Sequence, residues 1–219
     1  MQILLLTKID KFGVAEIIDY LQTKSEKVEI HQGTRKDPFP SNISLSHPDI
    51  LISYLSPWII PINLLERTNK WNLNFHPGPP NYPGVGCYNF ALYNEEKDYG
   101  VTVHLMDKIV DSGKIIGVKR FSILPSDTLY NLVLKSYVFL LTLFFETMDY
   151  IFKYDSLPKC NEEWTRKAYT RKELEELCKI IPNMSKQEVE KRIKATKFPG
   201  MPGAFMELYG YKFEYNEKR

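Results

Sequence analysis

Cysteine is scarce in this chain of 219 residues, and its three copies, Cys87, Cys160 and Cys178, stand in no CxxC or Cys/His ligand spacing. Neither a disulfide framework nor a zinc site is therefore expected, and a reducing cytoplasm fits best. An excess of one charge is also missing, since 29 Lys+Arg against 27 Asp+Glu leave a formal net charge of +2. Without a basic excess the expected partner is a small molecule and not nucleic acid. The N-terminus, Met1-Gln2-Ile3-Leu4-Leu5-Leu6-Thr7, lacks the basic segment and small-residue cleavage site of a signal peptide and reads as a buried strand. No apolar run reaches the roughly 20 residues that a bilayer requires. The longest, SYVFLLTLFF at 136–145, lies between Lys135 and Glu146 and is expected as a core helix or an oligomer face, not a membrane segment. Internal repeats and low-complexity tracts are absent as well.

What remains is enough for a substantial core: 43% of the residues are hydrophobic. Short apolar runs at 2–7, 27–31, 49–54, 72–75, 101–106 and 114–121 alternate with helical or turn-rich segments, the pattern of an α/β fold with a mainly parallel sheet. Helical spacing predicts helices at 14–23, at 88–93 and over a long stretch from 126 to 154. The Pro-, Ser- and Asn-rich stretch 33–48 is expected as a surface loop without a role. These elements make a first unit of residues 1–155. After Asp155-Ser156-Leu157-Pro158 the composition turns to charged helices, each opening on a capping box, Thr170…Glu173 and Ser185…Glu188. The expected second unit, 156–219, closes on an aromatic segment around Gly210 that suits a hairpin pinned by aromatic cross-strand pairs.

Three residues carry the candidate chemistry. Asn74 and His76 lie one residue apart at the end of a predicted strand, so both side chains point to one side. The Pro77-Gly78-Pro79-Pro80 run after them has few backbone donors and is expected as a stiff, exposed loop. Asp111 sits at a second turn, with Gly113 allowing it to be tight. A carboxylate beside an imidazole raises the basicity of the ring, and a carboxamide N–H suits a tetrahedral oxyanion, so the trio fits acyl transfer to an amine. Singly, Asn74 also reads as a strand terminator, His76 as a satisfied loop histidine and Asp111 as a turn aspartate, and spacing alone does not choose.

The succession Asn74-Phe75-His76-Pro77, Tyr82-Pro83-Gly84, Thr102-Val103-His104 and Asp111-Ser112-Gly113-Lys114-Ile115-Ile116 resembles the folate-dependent formyltransferase family over essentially the whole first unit. The Pro-Gly-Pro-Pro-x-Tyr-Pro-Gly form followed by Gly86-Cys87 is most similar to its nucleotide-sugar N-formyltransferases of bacterial surface-polysaccharide pathways. The resemblance implies a Rossmann-like fold, 10-formyltetrahydrofolate as donor, no metal, and Asn74, His76 and Asp111 as the catalytic residues. It further implies a folate pocket formed by Tyr54, Trp58, Ile59 and Ile60 together with Asp107 and Val110 on the loop leading to Asp111. Core packing is the alternative for Tyr54 and Trp58.

As acceptor the resemblance favours a dTDP-linked 4-amino-4,6-dideoxyglucose, with Lys8, Gly78, Pro79, Tyr82 and Phe198 as substrate contacts. Phe198 either stacks on the base or supports the hairpin, and Lys8 or Lys11 either meets a pyrophosphate or is merely solvated. The chain departs from the purine-pathway members in having Thr7-Lys8-Ile9-Asp10-Lys11-Phe12-Gly13 where they carry a phosphate-binding glycine loop. It is too short for the tRNA-binding barrel of methionyl-tRNA formyltransferases. Hydrolysis of the formyl donor, a glycinamide-ribonucleotide-type reaction and an inert folate- or nucleotide-binding module stay as alternatives. The apolar helix and aromatic tail suit a homodimer.

Overall fold

Unbroken apolar runs build the middle of the sheet, because parallel strands covered on both faces have no solvent side to alternate toward. The computed structural model describes residues 1–44 and 47–216. In chain order it has β1 (Gln2–Lys8), α1 (Val14–Lys24), β2 (Lys27–Gly33), β3 (Ile50–Tyr54), α2 (Ile62–Glu66), β4 (Trp71–His76), α3 (Cys87–Tyr93), β5 (Asp98–Leu105), β6 (Ile115–Ser122), α4 (Leu129–Tyr154), α5 (Arg171–Cys178), α6 (Lys186–Thr196), β7 (Phe205–Leu208) and β8 (Tyr211–Glu214). Six strands form one sheet in the order β2-β1-β3-β4-β5-β6. The first four in that order run parallel, and β5 and β6 run antiparallel to their neighbours. This is the expected mainly parallel, Rossmann-like α/β fold with a C-terminal hairpin. The strand order reverses between β1 and β3, which opens a crevice at the carboxyl ends of the strands, where ligands bind in such sheets.

β1 and β3 are buried almost throughout, and their side chains join two clusters, one on each face. On one face α4 lays Leu140, Phe144, Met148 and Ile151 against Leu5, Ile52 and Phe75. By length and composition alone this 26-residue helix would cross a membrane. Here it is a core helix that closes the sheet. On the other face Phe39 and Ile43 of the 33–48 stretch pack with Trp58, so that stretch is a cover and not a bare connection. Its residues 45–46 lie outside the described residues.

Several expectations are corrected. β5 begins at Asp98, earlier than expected, because Asp98 still pairs with Ser122. α4 begins at Leu129, where Thr128 accepts the N–H of Asn131, while Asp127 turns back to the N–H of Leu124. The short α2 escaped notice because five residues show no period. The Thr170–Glu173 capping box is complete, but the Ser185 cap is one-sided. Its Glu188 is taken by Tyr93 and Arg192. The hairpin exists, with Tyr209 and Gly210 at positive φ in its turn. Its aromatics, however, face Met206, Leu208 and Glu214 across the strands, not one another.

The tail is tied closely to the first unit. Leu177 of α5 and Ala195 of α6 share a buried cluster with Phe90, Leu132 and Val133. The segment between α4 and α5 crosses the 77–86 loop. There Tyr169 donates its N–H to Pro83 at 2.9 Å and accepts from Val85 at 3.0 Å, and Thr165 donates to Pro80 at 3.3 Å. Beneath this strap Gly78, Pro79 and Pro80 are buried, so the loop expected to be exposed is an interior one.

Candidate active site

Alternation along β4 sends Phe75 into the core and puts Asn74 and His76 on the opposite face. Antiparallel pairing then sets His104 across from Asn74 and Thr102 across from His76. Thr102 is buried and donates its hydroxyl to the Gly78 carbonyl at 2.8 Å, fixing the start of the loop after β4. Asp111 arrives from the β5–β6 connection in the left-handed region at φ 48, which aspartate tolerates better than most residues. Two positions later only glycine fits, because a Cβ on Gly113 would lie 1.9 Å from the Leu105 carbonyl oxygen.

The three expected catalytic residues do meet. Asp111 Oδ2 accepts the backbone N–H of Gly84 at 2.8 Å and stands 3.2 Å from His76 Nδ1. Asp111 Oδ1 stands 3.2 Å from His104 Nε2 and accepts from Asn74 Nδ2 at 3.3 Å. His76 and Asp111 are only 5% and 8% exposed. Burial alone would raise the Asp111 carboxyl, but the charge of His76, the contact and charge of His104 and the Gly84 amide hold it well below the usual carboxylate range. Asp111 is therefore an anion near neutral pH.

His76 has an acceptor at each ring nitrogen, because Nε2 lies 3.0 Å from the Tyr82 carbonyl oxygen. The protonated ring satisfies both contacts, and the neutral ring satisfies one. His104 Nδ1 lies 2.8 Å from the Leu105 carbonyl and donates there, while its Nε2 lies 2.9 Å from Asn74 Nδ2 and 3.2 Å from Asp111 Oδ1. Both Asn74 N–H groups are thus turned to His104 and Asp111, not free for an oxyanion as expected. They must be shared with, or lent to, a substrate.

The other expected residues spread out. Tyr54 is fully buried, packed between Phe75 and Phe144 with its hydroxyl unpartnered, so it offers no surface to a ligand. Trp58 is half-buried over Gly33 and donates its indole N–H to the Asp37 carbonyl at 3.0 Å. Ile60 and Met106 share a cluster, which sets the 55–60 and 106–111 loops side by side. On them Ile59 (79% exposed), Val110 (49%) and Asp107 are all exposed. Gly78, Pro79 and Tyr82 are buried supports. A Cβ on Gly78 would fall 2.7 Å from His76 Nε2. Tyr82 stacks on Tyr169, donates to Glu96 at 2.6 Å and accepts from Asn94 at 2.9 Å, leaving nothing for a substrate. Phe198 packs on Tyr130 of α4 and against the cluster that holds Leu132 and Ala195. Lys8 stands at the carboxyl end of β1, on the rim of the crevice.

Three participants were missed. His104 was visible as a polar residue in a buried strand, at the parity of Thr102. The Gly84 amide is backbone and leaves no signature. Trp164, on the strap, donates its indole N–H to the Gly113 carbonyl at 2.8 Å and packs edge-on against His76 and His104. Nothing near it in the chain announces that contact. Among the described residues no group of three or more His, Cys, Asp or Glu is placed to hold a metal.

Residues 21–136, more than half the chain, match the family described as Formyl transferase. A GDP-perosamine N-formyltransferase of Brucella melitensis is 27% identical over 164 residues, 74% of this chain and 62% of the relative, so the chain spans less than two thirds of that protein's length. A sugar N-formyltransferase structure from a Shewanella species superposes with a TM-score of 0.77 at 19% identity, covering 99% of this chain and 97% of the other. The N-formyltransferase of Helicobacter canadensis, solved with folinic acid and dTDP-3-aminofucose, superposes at 0.73 with 19% identity, covering 96% and 85%. At these identities the structures speak for the shared fold.

Proposed function

The chain belongs to the formyl transferase family, and from that premise we propose that it moves a formyl group from 10-formyltetrahydrofolate to the amine of a nucleotide-linked amino sugar. The observation that carries this reading is Asp111 shared between His76 and the Asn74–His104 pair. In the reaction the neutral amine attacks the formyl carbon, and the oxyanion that develops takes hydrogen bonds from Asn74 and from His76, which leaves the Tyr82 carbonyl to reach it. His76 gives its proton to the departing folate nitrogen and takes one from the amine, so that no net proton is gained or lost. Asp111, ionised throughout, holds the ring in register and stabilises its charged form.

The donor's site is supported by an open apolar rim. Ile109 and Val110, 61% and 49% exposed, directly precede Asp111 in the chain, and Ile59, 79% exposed, lies on the loop after β3; such open apolar surface suits a flat heteroaromatic ring. The acceptor's phosphates are supported by the other side of the crevice. Among the described residues Lys8, Lys11 and Arg35 have no carboxylate partner. Burial, with the charges of Arg35 and Lys11 beside it, brings the Lys8 ammonium down to about 8. Thr7, Tyr54 and Phe75 are level across β1, β3 and β4. Lys8 and His76, each one residue further, are therefore two strands apart, about 10 Å. That is about the reach from an amine on a hexose to the phosphates beyond its anomeric carbon.

Within this class we favour a dTDP-linked 4-amino-4,6-dideoxyglucose used for surface polysaccharide such as O-antigen, made in the cytoplasm. A second copy of the chain would cover the apolar face of the hairpin, where Leu208, Tyr211, Phe213 and Tyr215 are 45% to 72% exposed. The test is a panel of nucleotide-linked amino sugars incubated with 10-formyltetrahydrofolate and the purified protein. Formylated sugar and tetrahydrofolate should form together. Formate released equally with and without sugar would replace transfer by hydrolysis, and no turnover at all would leave a binding module.

A further inference from the structure

The strap that crosses the site brings in one side chain with no counterpart in the formyl-transfer chemistry above. Trp164 is half-buried, and its indole centroid lies 5.9 Å from the His76 ring and 5.0 Å from the His104 ring, at interplanar angles of 75° and 86°. Its N–H is pinned on the Gly113 carbonyl, two residues after Asp111. Beyond the indole lies an open cavity of about 760 Å³, lined among others by Ser112, Lys114, Cys160 and Glu162. Such a polar, open space holds water. The indole is thus the wall between that water and a histidine–aspartate pair that is otherwise almost wholly enclosed.

Its placement is held from several directions. Arg120 and Glu162 form an ion pair just before it. Thr165 is tied to Pro80 just after it, and Tyr169 bridges to Gly84, whose amide holds Asp111. A side chain that only filled space would not require this anchoring around the Asp111 turn.

Water matters here because it competes with the amine for the same formyl carbon, and closing a site against it prevents that side reaction. We propose that Trp164 is a positioning residue of the formyl-transfer site, which keeps the water of the adjoining cavity from the His76–Asp111 pair and so commits the formyl group to the amine. This rests on the proposed transfer reaction for its consequence, but the shielding itself does not.

The experiment therefore has two readouts, applied to wild type, Trp164→Ala and Trp164→Phe, each first checked for cooperative unfolding. One is the deuterium exchange of the imidazole C2–H of His76 and His104, followed by mass spectrometry with no substrate present. It should be slow in wild type and at least several-fold faster in Trp164→Ala, with Trp164→Phe close to wild type. The other is the ratio of formate to formylated sugar at saturating acceptor, which should rise about tenfold in Trp164→Ala and be largely rescued in Trp164→Phe. Unchanged exchange with an unchanged ratio in Trp164→Ala would overturn the proposal. Faster exchange in a protein whose wild type transfers no formyl group would keep the shield and reject the transfer reading instead. Should Trp164→Ala not fold, Trp164→Leu, which leaves bulk without an aromatic face, takes its place under the same criteria.

Discussion

The carbonyl oxygen of Tyr82 stands 3.0 Å from Nε2 of His76, the nitrogen that has to reach the substrate. With Asp111 at Nδ1, the ring is held between two acceptors, and only its protonated form can donate to both. Replacing His76 by Gln keeps a hydrogen-bonding side chain but removes proton transfer. The expected outcome is a fall in kcat of about 10²–10⁴-fold with little change in the acceptor KM. Steady-state kinetics check it, and a KM effect alone would mean that His76 binds substrate but moves no proton.

Asp111 gives a prediction with a definite sign. Its folded pKa lies below the unfolded value of about 3.9. Its contribution to stability is therefore complete above pH 4 and is lost as pH falls below that through the folded pKa. Wild type should lose stability between about pH 4 and pH 2, and Asp111→Asn should show a shallower decline over the same range. At pH 7 the variant removes the carboxylate that His76, His104 and the Gly84 amide share and should cost about 3 kcal/mol. Urea unfolding at pH 7, 4 and 3 measures both, and parallel pH profiles would remove Asp111 from the account.

How much of this was legible in the chain follows from the range of the interactions. The runs Ile3–Leu6 and Ile50–Tyr54 announce buried parallel strands because burial on both faces leaves no choice of residue. Asn74 and His76 are legible as a same-facing pair because the strand period is two. The burial of Gly78-Pro79-Pro80 is not, because it is imposed by Thr165 and Tyr169, more than eighty positions along the chain. Tyr82 looked like a substrate contact for the same reason: its partners Glu96 and Asn94 and its stacking on Tyr169 are tertiary. Lys8 was legible as a pyrophosphate contact or a merely solvated lysine, and what the sequence did not show is that Arg35 stands beside it as well as Lys11.

Gly84 is where strap, loop and carboxylate meet. It sits at φ +85, donates to Asp111, and a Cβ there would lie 2.4 Å from the Tyr169 carbonyl oxygen. Gly84→Ala meets both a forbidden backbone region and a backbone clash, at a cost of about 1–3 kcal/mol for the conformation alone. Thermal unfolding should fall by several degrees, and transfer should fall more than the loss of folded protein accounts for, because Asp111 loses its amide. Activity that merely tracks the folded fraction would mean that the Gly84 amide holds the loop and not the carboxylate.

Lys8 separates binding from stability in opposite directions. In the free protein its ammonium is half-buried beside two other cations, and its pKa is brought from 10.5 down to about 8. A lysine depressed in this way penalises the folded state fully below pH 8, and the penalty is relieved as pH rises from 8 toward the unfolded value. Lys8→Met removes the charge and keeps the apolar stem. At pH 7 it should stabilise the protein by about 1 kcal/mol, an amount already discounted for screening at a site this open. The same substitution removes one of three cations facing the acceptor's phosphates, so the acceptor KM should rise about tenfold while the folate KM holds. A charge kept at a cost to the fold is expected where a ligand compensates it. If Lys8→Met stabilises the protein and leaves the acceptor KM unchanged, the cations at the β1 rim serve something other than the acceptor's phosphates, and the nucleotide must be sought elsewhere on the crevice.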